Sequence, residues 1–239
     1  MKYFSIVVTF ILIWVCNIQK LNAQWVLNFG TAYTVSPKDF AFISGTGGQF
    51  TFIKNTPSTN FTPFLAHAGI RYGLTKNIDI GYRLCTVALP YSSAGPTLGS
   101  AVDLKLRLTN QNANWQLCVV SGIGLAYISI LNTQKTAWSP GGLMSLSKKL
   151  SKKGSLLTFN ARILKTVIPT AAEGSSGNYV NIIGGSISYL NNLNKVIAII
   201  PEIGLFNMNG KINNVQTNGI GLQVGVVLKV DWKEAKNKL

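Results

Sequence analysis

The stretch Val102-Asp103-Leu104-Lys105-Leu106-Arg107-Leu108-Thr109 alternates apolar and polar side chains through four full periods. A period of two puts successive side chains on opposite faces of a β-strand, so this segment has one greasy face and one wet face. The same alternation runs from Gly219 to Trp232, where Ile220, Leu222, Val224, Val226, Leu228, Val230 and Trp232 share a face. The opposite face carries Gly221, Gln223, Gly225, Val227, Lys229 and Asp231. Soluble strands centre on about 5 to 6 residues, and an apolar face this long is more than a small soluble sheet needs.

Working outward, period-two runs bounded by turn residues predict ten strands, over 48–54, 62–74, 78–89, 100–109, 115–130, 141–150, 155–168, 178–190, 195–206 and 215–232. Connections at 75–77, 110–114, 151–154 and 191–194 are short, whereas the others are longer and rich in Pro, Ser, Gly and Asn. Short turns at one end, long loops at the other and an even strand count describe an outer-membrane barrel with both termini on one side. The expected fold is therefore all-β, a transmembrane antiparallel β-barrel of about ten strands, with eight and twelve as the bounds. Residues 47–232 would form the barrel and 233–239 a polar periplasmic tail. Residues 24–46 would form a lead-in that either lies beneath the barrel or enters its lumen. Tyr72, Tyr91, Trp115, Tyr127, Trp138, Tyr179, Tyr189, Phe206 and Trp232 fall near predicted strand ends, as interfacial girdles require.

Composition points the same way. Charged residues are 12% of the chain and hydrophobic ones 47%, where a soluble domain carries about 25% charge. Lys2, an apolar run over 4–15 and a polar stretch ending at Ala23 have the layout of a secretory signal peptide over 1–23. That run is short of the roughly 20 residues a spanning helix needs. Trp14 and Val15 before Cys16 argue against a lipidation signal. Later apolar runs are interrupted by Pro, Gly, Asn or charge, so any membrane crossing is by strands. The net charge is +15, but the lysines fall in short turns and the tail without aromatic platforms among them. This pattern suits solvated turns or anionic lipid head groups and argues against nucleic acid. Cys85 and Cys118 fall on strands separated by a third, roughly 9.5 Å apart against a limit of about 7 Å for bridged Cα atoms, so free thiols are expected.

With the apolar register facing lipid, His67, Arg71, Asp79, Arg83, Asp103, Lys105, Arg107, Arg162, Glu202, Lys229 and Asp231 point into the lumen. A one-residue slip would send them into lipid at roughly 2 to 4 kcal/mol per Arg or Lys near the midplane, which fixes the register. The cations outnumber the anions. They either form a salt-bridged network filling a narrow lumen or bias a pore toward small anionic solutes. His67 is the one histidine, and no motif sets Ser121, Ser186 or Ser188 opposite it, so catalysis is not expected. No Cys, His and carboxylate cluster has metal-ligand spacing, and no cofactor motif is present.

The segment Gly69-Ile70-Arg71-Tyr72-Gly73-Leu74-Thr75-Lys76-Asn77-Ile78-Asp79-Ile80-Gly81 resembles the strand-turn-strand signature of small bacterial outer-membrane barrels grouped as transporters or porin-like proteins. Gly30-Thr31-Ala32-Tyr33-Thr34-Val35, followed by Pro37-Lys38, resembles the lead-in before the first strand of that group. The resemblance implies the outer membrane of a diderm bacterium, with outer-membrane lipid and lipopolysaccharide as surroundings, and brings no substrate or functional residue. The chain departs from the group after Trp232, where mostly polar residues replace a terminal aromatic.

The expected function is that of a small porin-like passive channel, or a structural membrane protein, with a mildly cationic lumen. A secreted or periplasmic β-sandwich binding module shares the alternation, and an outer-membrane enzyme shares the barrel. Strand length separates the first of these from the barrel.

Overall fold

The computed structural model describes residues 28, 30–54, 59–87, 97–130, 133–151, 154–168, 177–212, 215–232 and 235. Among these residues ten strands follow one another: β1 (Phe40–Ile53), β2 (Thr59–Gly73), β3 (Ile78–Val87), β4 (Thr97–Arg107), β5 (Trp115–Ile130), β6 (Thr133–Lys149), β7 (Leu156–Ile168), β8 (Asn178–Asn192), β9 (Ile197–Ile212) and β10 (Val215–Asp231). Each pairs antiparallel with its sequence neighbours, and β1 pairs antiparallel with β10, so the sheet closes on itself. Closure satisfies every strand edge without a second sheet. A β-sandwich is thereby overturned.

The alternation sorts side chains as the sequence requires. Ile163, Ile183, Leu205 and Ile220 point outward with more than half their surface exposed, at 57–61%. Asp79, Asp103, Lys105 and Arg107 on the opposite face are at most 4% exposed. Tyr72 packs at 4.7 Å from Phe40 with its ring tilted, and Trp232 meets Phe42 edge-on at 5.9 Å. Lys148 sits over Trp115, and Lys165 over Tyr179. These pairs mark the two rims of the apolar belt. Phe206 is not one of them: it points into the lumen and is 3% exposed.

Three strands run much further than the sequence indicates. β1 begins at Phe40 rather than at residue 48, taking the end of the predicted lead-in into the wall. Its Ser44-Gly45-Thr46-Gly47-Gly48 core lacks large apolar residues, and the strand is held by its neighbours instead. A Cβ on Gly45 would strike the Val226 carbonyl and Val227, so close approach to β10 needs glycine there. β6 begins at Thr133 rather than 141, and β9 continues to Ile212 rather than ending at 206. Pro140 obscured the first: the β6–β7 ladder passes from Trp138 to Gly141, and the β5 side still pairs Pro140 with Ile123. Asn207, Asn209 and Gly210 obscured the second. The β5–β6 and β9–β10 connections are consequently tight hairpins, not long loops. The leader over 1–23, most of the tail over 233–239, the loops over 88–96 and 169–176, Tyr91 and the Tyr127 side chain lie outside the described residues.

Candidate functional site

The lumen is built in three levels, starting at the end where the short turns 74–77, 108–114, 150–155 and 193–196 gather. The first is ionic. Asp79 on β3 accepts from Arg71 on β2 at 2.5 and 2.8 Å, and Lys105 on β4 lies 4.0 Å away. Asp103 on β4 bridges Arg71 at 2.7 Å and Arg83 on β3 at 2.5 Å. One carboxylate thus joins two guanidiniums, and register places them together: Gly81 of β3 pairs with both Arg71 and Asp103. A Cβ on Gly81 would crowd the Arg71 guanidinium. Arg107 donates to the Lys76 carbonyl at 2.6 Å and to Asn77 Oδ1 at 2.9 Å, tying β4 to the turn before β3. Lys229 and Asp231 pair at 2.8 Å, half-exposed at the mouth.

The second level is uncharged polar chemistry around one carboxylate. Glu202 on β9 accepts from the Ser186 hydroxyl on β8 and from Asn160 Nδ2 on β7 at 3.2 Å. Ser145 on β6 donates to Asn160 at 2.6 Å, and the Ser147 and Thr158 hydroxyls are 2.7 Å apart. Their only signal in the sequence is position: Ser145, Ser147, Thr158, Asn160 and Ser186 are the polar members of alternating strands. The third level is apolar. Val180, Ile182, Phe206, Met208, Ala126 and Ala137 form one cluster, each at most 3% exposed, with Leu164 against it. The Phe206 ring fills the space left by Gly221 of β10.

The lead-in completes the filling. Asn28 reaches the second level, where its N–H donates to Glu202 at 2.9 Å and its Nδ2 to Asn160 Oδ1 at 3.2 Å. Ala32 N–H donates to Ser147 Oγ at 2.8 Å, and Lys105 Nζ donates to the Thr31 and Tyr33 carbonyls at 3.0 and 3.2 Å. Val35 N–H donates to Asp79 at 3.0 Å. The chain then turns at Ser36, Pro37 and Lys38, the last at φ 60°, and enters the wall as β1. Ala32 is fully buried against Cys118, Val120 and Leu143. Burial lifts the Tyr33 phenol above its ordinary value, with the Arg107 charge opposing. Of the two positions open to the lead-in, it takes the lumen. An eight-stranded interior is just filled by side chains, so ten strands leave room for this extra segment.

Cavities border this filling among the described residues. A vestibule of about 330 Å³ lies beside the lead-in, bordered by Tyr33, Arg71, Arg83, Lys105, Lys229 and Asp231. A recess of about 100 Å³ lies in the wall formed by β3 to β7, bordered by Arg83, Cys85, Ser139, Arg162 and Thr166. His67 is buried on β2, opposite Cys85 of β3 and Gly45 of β1. Ser121 faces outward, exposed, and Ser186 is engaged by Glu202. Cys85 on β3 and Cys118 on β5, with β4 between, are free thiols.

No sequence-family model and no curated protein matches the chain. Its structural similarities are to bacterial outer-membrane β-barrels. The outer membrane protease OmpT from Escherichia coli is similar at 9% identity and a TM-score of 0.46, over 83% of this chain and 98% of that one. The NanC porin is similar at 11% identity and a TM-score of 0.39, over 78% and 98%. The outer membrane protein OprG from Pseudomonas aeruginosa is similar at 8% and 0.33, over 84% and 99%. These are likenesses of architecture. The fold itself rests on the pairing of β1 with β10.

Proposed function

We propose that this chain is an outer-membrane β-barrel of a diderm bacterium, porin-like in architecture, whose lumen its own N-terminal segment holds closed. It serves as a structural membrane protein and carries no catalytic centre. All strands but β3 and β4 run 13 to 17 residues, past the about 9 to 11 that cross a bilayer, so much of the barrel wall stands beyond the membrane. Lipid and lipopolysaccharide would surround the belt. The leader read over 1–23 supports export.

The observation that carries this reading is the filling at two heights. Asn28 and residues 30–35 occupy the ionic and polar levels, and the Ile182, Phe206 and Met208 cluster occupies the third. Reconstitution in planar bilayers tests it. The protein, first established as a folded barrel by a change in gel mobility on boiling, should insert without steady ion current. A steady current from the intact chain would overturn the closed-barrel reading. The vestibule beside the lead-in favours a second reading, a gated channel. Under it, deletion of residues 24–36 would raise a current absent from the intact protein.

A further inference from the structure

We propose that the recess between Arg83 and Arg162 binds a small oxyanion. Its floor is the backbone of three adjacent strands, where the inward positions Gly99 of β4, Gly122 and Gly124 of β5 and Gly141 of β6 carry no side chain. Packing accounts for two of these glycines. A Cβ on Gly122 would lie 2.6 Å from the Val102 carbonyl, and one on Gly141 would lie 2.8 Å from Leu164 Cδ1. Gly124 is different, since the nearest atom to a Cβ there is Ser139 Cβ at 3.5 Å. Packing tolerates a larger residue at 124, and the glycine leaves the recess open.

Two arginines border this floor from opposite sides, Arg83 on β3 and Arg162 on β7. The Ser139 and Thr166 hydroxyls, 2.9 Å apart, stand at its upper edge. Among the described inward-facing charges of the barrel interior, the buried or half-buried Arg71, Arg83, Lys105, Arg107 and Arg162 meet Asp79, Asp103 and Glu202, so positive charge is in excess there. Such an excess favours uptake of an anion. Guanidinium forks and hydroxyls match the oxygens of a phosphate, nitrate or carboxylate better than a bare halide. The volume of about 100 Å³ is a few times the roughly 30 Å³ of a water molecule, which limits the ligand to ions of phosphate size.

Arg83 borders both the recess and the vestibule, so the two cavities share that side chain. The site does not depend on whether the barrel conducts.

Equilibrium dialysis of labelled inorganic phosphate against the full chain, folded in detergent, reads the site directly. Saturable binding at about one ion per chain is expected, weakened about tenfold or more in Arg162→Gln, as removal of a charge-assisted hydrogen bond predicts. Gly124→Val, which fills the recess, should abolish binding; if that variant shows no heat-dependent mobility shift, Gly124→Ala should weaken it. Arg107→Gln, at the mouth, should bind as the parent does. Absence of saturable binding by the parent overturns the proposal, as does unchanged binding in Arg162→Gln or in the folded Gly124 variant. Equal loss in Arg107→Gln would trace binding to general lumen charge and overturn the placement.

Discussion

Asp103→Asn keeps the shape of the side chain and removes the charge that joins β2, β3 and β4. The carboxylate is 4% exposed and serves Arg71 at 2.7 Å and Arg83 at 2.5 Å. Arg71 keeps Asp79 at 2.5 Å, so the loss falls on Arg83, left in the lumen without its carboxylate. Breaking a buried pair from one side costs about 3–5 kcal/mol, because the remaining charge stays desolvated. At about 2–4 °C per kcal/mol for a chain of this size, the unfolding midpoint should fall by about 6–20 °C. Asp231→Asn is the control. Its pair with Lys229 is 2.8 Å long, but the side chains are 28% and 38% exposed, and solvent screening limits the effect to under about 1 kcal/mol. Midpoints come from the temperature at which the folded band disappears on gels, and from urea unfolding in vesicles followed by tryptophan fluorescence. Arg83→Met with Asp103→Leu should recover much of the loss, since replacing both ions of a buried pair is often neutral. Equal shifts for Asp103→Asn and Asp231→Asn would refute the reasoning, as would an Asp103→Asn cost under about 1 kcal/mol.

Two further outcomes bear on the plug and on the belt. Cys118 is fully buried under Ala32, so in a Cys85→Ser background a water-soluble maleimide should leave it unmodified in the folded barrel and label it once residues 24–36 are deleted. Labelling at the same rate with and without the segment would place the segment outside the lumen. Ile183 is 57% exposed on the outer face of β8, so Ile183→Lys should destabilise the barrel in vesicles by about 2–4 kcal/mol; an unchanged urea midpoint would mean that this face meets water.

Alternation alone carried most of the wall, because a period of two has one solution once one face must be apolar. Val102 to Leu108 and Ile220 to Trp232 needed nothing beyond their own residues. β1 was harder to see because its middle is glycine, and a strand held by close approach to neighbours leaves little side-chain pattern to read. The inward direction of Asp79, Asp103 and Lys105 followed from register, but their partners did not. Arg71 and Asp103 meet because β2, β3 and β4 align at Gly81, and that offset depends on turn geometry and on barrel shear. Contacts from Asn28, Thr31, Tyr33 and Val35 were illegible for another reason. Most run through backbone N–H and C=O groups, which every residue possesses.

The β1–β10 seam also bears on how this chain tolerates being cut short. It joins Ala41 with Asp231 and Ile53 with Gly219, residues from nearly opposite ends of the sequence. Until the last strand exists, the sheet is an open ribbon with two unpaired edges, each a template for another chain. A stop codon before β10 would thus forfeit more than the last strand, leaving β1 and β9 both unpaired and the lumen open along its length. For a product so organised, losing the stretch from Val215 onward is nearly as damaging as losing half. Quality control therefore has one late event to monitor, the meeting of the first strand with the last.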